Sequence, residues 1–141
     1  MKRSLHEQEP ITNSDGHHIV ELIGLASTNT SRYSVAHITA PAGTHGQPRT
    51  NRFDELLIVK AGRGVIEMAF NQYDIAPDDV VLIPAGTRYA IHAAPESDLV
   101  VWAVCIPAYR PEWSQVGEAK MNWRDYQVPR GVNRLRPSDE E

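Results

Sequence analysis

Short apolar runs, each closed by a turn of proline, glycine or aspartate, recur through most of this chain and constrain its fold more than any other feature. The turns fall at Ser14-Asp15-Gly16, Pro41-Ala42-Gly43, Ala61-Gly62-Arg63-Gly64, Ala76-Pro77-Asp78-Asp79 and Pro84-Ala85-Gly86. Each supplies residues that reverse an extended chain within a few positions. Between them the sequence predicts strands at His18–Ile23, Tyr33–Thr39, Arg49–Lys60, Val65–Phe70, Asp79–Ile83, Tyr89–Ala93 and Leu99–Ile106. Most are rich in branched and aromatic residues and too short for globular helices. The run from Leu99 to Val104 is apolar at every position, which predicts a strand in the middle of two packed layers. An all-β sandwich or barrel follows, with no repeat, heptad or low-complexity segment.

At 141 residues with 41% apolar content, the chain supports one domain with one core. Its formal charge of −4, with no run of Lys or Arg, offers no basic stripe for a phosphate backbone, so no nucleic-acid partner is expected. No apolar run reaches the roughly 20 residues of a membrane helix, and Met1 to Pro10 lacks the apolar core of a secretion signal. A soluble cytoplasmic protein with no membrane partner is the expectation. Cys105 is the single cysteine, so no internal disulfide forms, and its apolar surroundings mark it as a core residue rather than a nucleophile. Residues 1–17 read as an N-terminal arm, 18–113 as the barrel and 114–141 as an irregular C-terminal extension. Trp113, Met121, Trp123 and Tyr126 suggest that part of the extension packs on the barrel, while the charged last residues fray.

Two stretches carry a family resemblance. From Gly43 the chain runs five residues to Arg49, continues as Arg49-Thr50-Asn51, runs three residues to Glu55 and six to Gly62. These spacings resemble the first cupin motif. Asp78 through Pro84-Ala85-Gly86-Thr87-Arg88-Tyr89 resembles the second, and Pro107 to Trp113 is similar to the segment after the last barrel strand in many cupins. The resemblance covers about residues 18–113 and implies a single double-stranded β-helix, the cupin jelly-roll barrel. It also implies metal-binding histidines at the positions of Arg49, Asn51 and Tyr89, with Glu55 as the acidic ligand. Only Glu55 matches. A guanidinium has no lone pair to give and repels a divalent cation, so Arg49 argues against a metal and no cofactor is expected. His37, His45 and His92 are the residues from which a site would have to be rebuilt, although each reads first as an ordinary hydrogen-bonded residue.

Side chains two apart on a strand share a face, which groups Arg49, Asn51, Phe53, Glu55, Leu57 and Val59 against Thr50, Arg52, Asp54, Leu56, Ile58 and Lys60. The resemblance turns the first group inward; Tyr89, Ile91 and Ala93 form a second face. If Arg49 and Glu55 are both buried, they are expected to pair with each other. The catalytic set is Glu55 as base, Arg49 as holder of a carboxylate or enolate-like oxygen, and Tyr89 as proton donor, with Asn51, Phe53, Leu57, Ile91 and His37 binding substrate. The partner is a small organic molecule, anionic or carbonyl-containing. Three functions fit: a metal-independent isomerase, lyase or cyclase; a metal-dependent oxygenase or lyase with a rebuilt site; and a non-catalytic binding or sensor module. A homodimer is expected, with the N-terminal arm able to add a strand to a neighbour's sheet. His17 and His18 are adjacent, so their side chains point apart and do not chelate together. Gly62-Arg63-Gly64 lacks the context of a phosphate loop and reads as a hairpin turn.

Overall fold

Two antiparallel sheets pack face to face, and the computed structural model describes residues 1–117 of the chain. The larger sheet has six strands in the spatial order β1 (Ile11–Thr12), β2 (His18–Ile23), β3 (Ser34–Ala40), β10 (Leu99–Ile106), β5 (Asp54–Ala61) and β8 (Val80–Ile83). The smaller has five, ordered β11 (Ser114–Val116), β4 (Arg49–Asn51), β9 (Tyr89–Ala93), β6 (Gly64–Met68) and β7 (Asn71–Ile75). A single-turn helix, α1 (Leu25–Thr28), joins β2 to β3. The expected packing of Met121, Trp123 and Tyr126 lies outside the described residues.

The predicted strand Arg49–Lys60 is two strands in different sheets. The chain turns the corner at Arg52 and Phe53, where the Arg52 N–H donates to the Trp113 carbonyl at 2.8 Å and the Phe53 ring packs edge-on against Tyr109. Thr50, expected on the outer face, is fully buried, because β11 pairs alongside it at Gln115. Three further strands appear. Ile11–Thr12, within the stretch read as an N-terminal arm, pairs with β2 of its own chain, Ser114–Val116 pairs with β4, and Asn71–Ile75 pairs with β6.

The core lies between the sheets. On β10 the period-2 alternation directs Leu99, Val101, Ala103 and Cys105 inward, each 4% exposed or less. Leu57 and Ile83 of the same sheet join Ile66 of the other in one buried cluster. Each such Leu or Ile contributes about 1.5–3 kcal/mol by leaving water. The outer face of β10 is less covered than a strand between two full layers. Trp102 and Val104 are half-buried, their register neighbours Ile58 and Leu56 lie next to them, and Val80 and Leu82 beyond are exposed.

The hairpin between β5 and β6 turns at Gly62, whose φ of +81° is costly for any side chain. A Cβ there would also collide with the Asp98 carbonyl, so the turn admits glycine alone.

Candidate functional site

The sheets and the segment preceding β2 enclose a cavity of about 630 Å³. Its size suits a small organic molecule. Ala36 and Ile38 of β3, Leu57 of β5, Ile91 of β9, and Leu99 and Val101 of β10 form apolar wall. Arg49, Asn51, Phe53 and Glu55 project into it despite the corner between β4 and β5, because the chain keeps its inward alternation through the turn.

Inside the cavity, polar side chains from five strands form one hydrogen-bonded chain. The Ser114 hydroxyl donates to Asn51 Oδ1 at 2.6 Å, and the Asn51 Nδ2 amide donates to the Tyr89 oxygen at 3.3 Å. Tyr89 donates to Glu55 Oε1 at 2.7 Å, and the Cys105 thiol donates to Glu55 Oε2 at 3.6 Å. Every member lines the cavity. Tyr89, Asn51 and Glu55 are each at least nine-tenths buried.

Burial decides the electrostatics. It raises the Glu55 carboxyl above its ordinary range, opposed by the hydrogen bonds from Tyr89 and Cys105 and by the charge of Arg49. The same burial, with the neighbouring Glu55, drives Tyr89 well above the usual phenol value, so Tyr89 is a protonated donor at neutral pH. Cys105 is likewise pushed up by burial and then by Glu55, which makes it a poor nucleophile, in keeping with the core assignment.

Arg49 and Glu55 do not pair. Arg49 Nη2 donates instead to Asp15 Oδ2 at 3.0 Å, and the other Asp15 oxygen accepts from the Gln47 N–H at 3.2 Å. Asn13 shapes the loop that delivers this carboxylate, its Oδ1 accepting from the N–H groups of both Asp15 and His17. Ile11, Asn13, Asp15 and His17 all line the cavity, so the segment read as an arm supplies part of its wall. His17 is 7% exposed, its Nε2 has no hydrogen-bond partner, and burial lowers its affinity for a proton. Its neighbour His18 is exposed and contacts Thr12, so the two rings do point apart.

His37 is a correction. It sits on the outer face of β3, edge-on to Trp102, with Nε2 3.3 Å from Lys60 Nζ, and it does not line the cavity. The period-2 rule accounts for this, since its neighbours Ala36 and Ile38 face inward. His45 and His92 also lie away from the cavity wall, their Nδ1 atoms 3.1 Å apart, with Glu67 3.6 Å from His92 Nε2.

The cupin metal positions do not fit a metal here. Arg49 has no lone pair, and Tyr89 retains its proton in donating to Glu55. Among the described residues no group of three or more His, Cys, Asp or Glu side chains is arranged to hold an ion.

Comparison with known proteins now decides the family. The sequence profile of the AraC-like ligand-binding domain matches residues 32–131. The chain belongs to that family. Its fold is that of the cupins. This AraC-like domain superposes on the polyketide cyclase RemF from Streptomyces resistomycificus with a TM-score of 0.71 at 15% identity, covering 89% of this chain and 90% of that one. For Pac13 from Streptomyces, described as a nucleoside dehydratase, the TM-score is 0.69 at 17% identity, covering 82% and 89%. At these identities the likeness is one of fold. Over 116 residues the domain is also 33% identical to a Myxococcus xanthus protein described as endoribonuclease YbeY, covering 82% of this chain and 40% of that protein. The chain thus spans less than half of that relative's length.

No pattern in the sequence marks Asp15, His17 or Ser114 as cavity residues. Asp15 belongs to a recognisable turn, yet turn chemistry does not say what the turn packs against.

Proposed function

We propose that this domain is a metal-independent small-molecule enzyme of the isomerase, lyase or cyclase type, working by proton transfer in the cavity. The observation that carries this reading is the 2.7 Å hydrogen bond from Tyr89 to a buried Glu55 whose carboxyl is raised above its ordinary range. Such a carboxylate is a stronger base than a solvated one and sits where water does not compete for the proton it takes. Glu55 removes a proton from the substrate, and Tyr89, with Asn51 and Ser114 behind it, returns one to a developing oxyanion. Arg49 acts through its field, favouring the charged form of Glu55. Asn51, Phe53, Leu57 and Ile91 hold the substrate. That folds of this kind host a cyclase and a dehydratase supports the reading by analogy.

The test is untargeted. Purified protein and its Glu55→Gln variant are incubated with a metabolite extract treated with a chelator, and the small molecules are compared by mass spectrometry. Species consumed by the wild type and spared by the variant identify the substrate. Equal consumption by both, or activity that vanishes with the chelator, sinks the proposal.

The family match favours a second reading, a non-catalytic ligand-binding module. A molecule that binds tightly and is recovered unchanged points to it. Self-association belongs to either reading and is supported by the apolar outer face around Val80, Leu82 and Ile58, which are 60%, 45% and 36% exposed.

A further inference from the structure

Two cationic side chains line the cavity, and each already faces a carboxylate. Arg49 is held by Asp15 at 3.0 Å, and Arg110 Nη1 lies 3.9 Å from Glu112 Oε1. The first pair is shielded from water, with the Asp15 side chain only 2% exposed and that of Arg49 18%. An ion pair in such surroundings is costly to break, because neither partner regains a full hydration shell. Two further carboxyl groups line the cavity without a cation bonded to them among the described residues: Glu21, whose Oε2 accepts from the Ser27 N–H at 2.9 Å, and Glu55, which feels Arg49 only through its field. An anion entering the site therefore meets two acidic groups and, among the described residues, no buried cation free of a carboxylate, Arg110 belonging to an exposed pair that water screens. A neutral molecule meets apolar wall and the donors and acceptors of Asn51, Tyr89 and Ser114.

We infer that Asp15 sets the charge selectivity of the cavity: by occupying Arg49, it restricts the site to uncharged molecules that carry a carbonyl or hydroxyl group on an apolar frame. This rests on the reading of the cavity as a small-molecule site, and not on proton transfer by Glu55. It reverses the sequence-based expectation that Arg49 holds a substrate carboxylate. The reversal has a plain cause, since a partner 34 residues away in the chain already fills the place of that carboxylate.

Two probes of nearly equal shape test it, 2-naphthamide and 2-naphthoate, with binding to the full chain followed by calorimetry. The wild type is expected to bind the amide at least about tenfold more tightly than the carboxylate. Asp15→Asn keeps the side chain's size and an oxygen for the Gln47 N–H while freeing the guanidinium. It is expected to shift that ratio by at least about tenfold toward naphthoate. The double variant Asp15→Asn/Arg49→Gln carries neither charge, guards against misfolding around an unpaired cation, and is expected to favour the amide again. A wild type that prefers naphthoate, binds both equally or binds neither overturns the inference, as does a ratio unmoved by Asp15→Asn. Should Glu55→Gln retain full turnover while the amide preference holds, the catalytic reading falls and the selectivity stands.

Discussion

Tyr89 and Glu55 belong to different sheets, and the 2.7 Å bond between their side chains ties β9 to β5 through the interior of the cavity. The link is structural and, under the proposed function, chemical as well, and the two roles separate by measurement. Glu55→Gln preserves shape and removes the base, so kcat/KM on the substrate identified above is expected to fall about 10²- to 10⁴-fold. Tyr89→Phe removes a hydrogen bond that favours the carboxylate, which raises the Glu55 pKa further. The acidic limb of the kcat/KM–pH profile is expected to move to higher pH in that variant. An unmoved limb counts against Glu55 as the titrating base.

Stability depends on pH through two buried groups with opposite shifts. Glu55 has a folded pKa raised above its unfolded value of about 4.3, so the fold binds its proton more tightly. The stability it lends is fully present below that unfolded value and is lost as pH rises through the folded one. His17 has a folded pKa below its unfolded value of about 6.5, so stability falls as pH drops from that value through the folded one. Urea melts across a pH series are expected to flatten on the acid side in Glu55→Gln and near pH 6 in His17→Gln. Unchanged slopes would reject the assignment.

Leu57 serves both core and cavity and is 1% exposed. Leu57→Ala is expected to cost about 2–5 kcal/mol in denaturant unfolding, since the neighbours collapse only partly into the space it leaves. A loss below about 1 kcal/mol would mean the wall relaxes freely at that point.

The exposed outer face gives a different outcome. A glutamate in place of Leu82 leaves the core untouched, so the thermal midpoint of the isolated chain is expected to change little. If this face joins two copies, light scattering on the wild type shows a dimer and Leu82→Glu shows a monomer. A wild type that is monomeric across the concentration range rejects the interface.

Much of the fold was legible in advance because period-2 alternation and turn residues are local signals. The run from Leu99 to Ile106 and the grouping of Arg49, Asn51, Phe53 and Glu55 on one face follow from that pattern, while the cupin resemblance turned that face inward. The corner at Arg52 and Phe53 was hidden because alternation continues across it while the backbone passes from one sheet to the other. Strand β7, Asn-Gln-Tyr-Asp-Ile, was hidden because its first four residues are exposed on both faces of an edge strand and only Ile75 reaches the core, which leaves no apolar rhythm. The partner of Arg49 was out of reach for another reason. A buried cation demands a carboxylate, but the sequence contains several, and only the tertiary fold selects Asp15 over Glu55.

The wall contributed by Ile11 to His17 has an evolutionary consequence. Asn51, Glu55 and Tyr89 stand on β4, β5 and β9, whereas this stretch reaches the same space from β1 and the loop that follows it, fastened at Asp15. Changes confined to those few positions can alter the lining of the cavity while the polar groups on the strands stay where they are, so a single short stretch of chain can diversify what one frame accommodates.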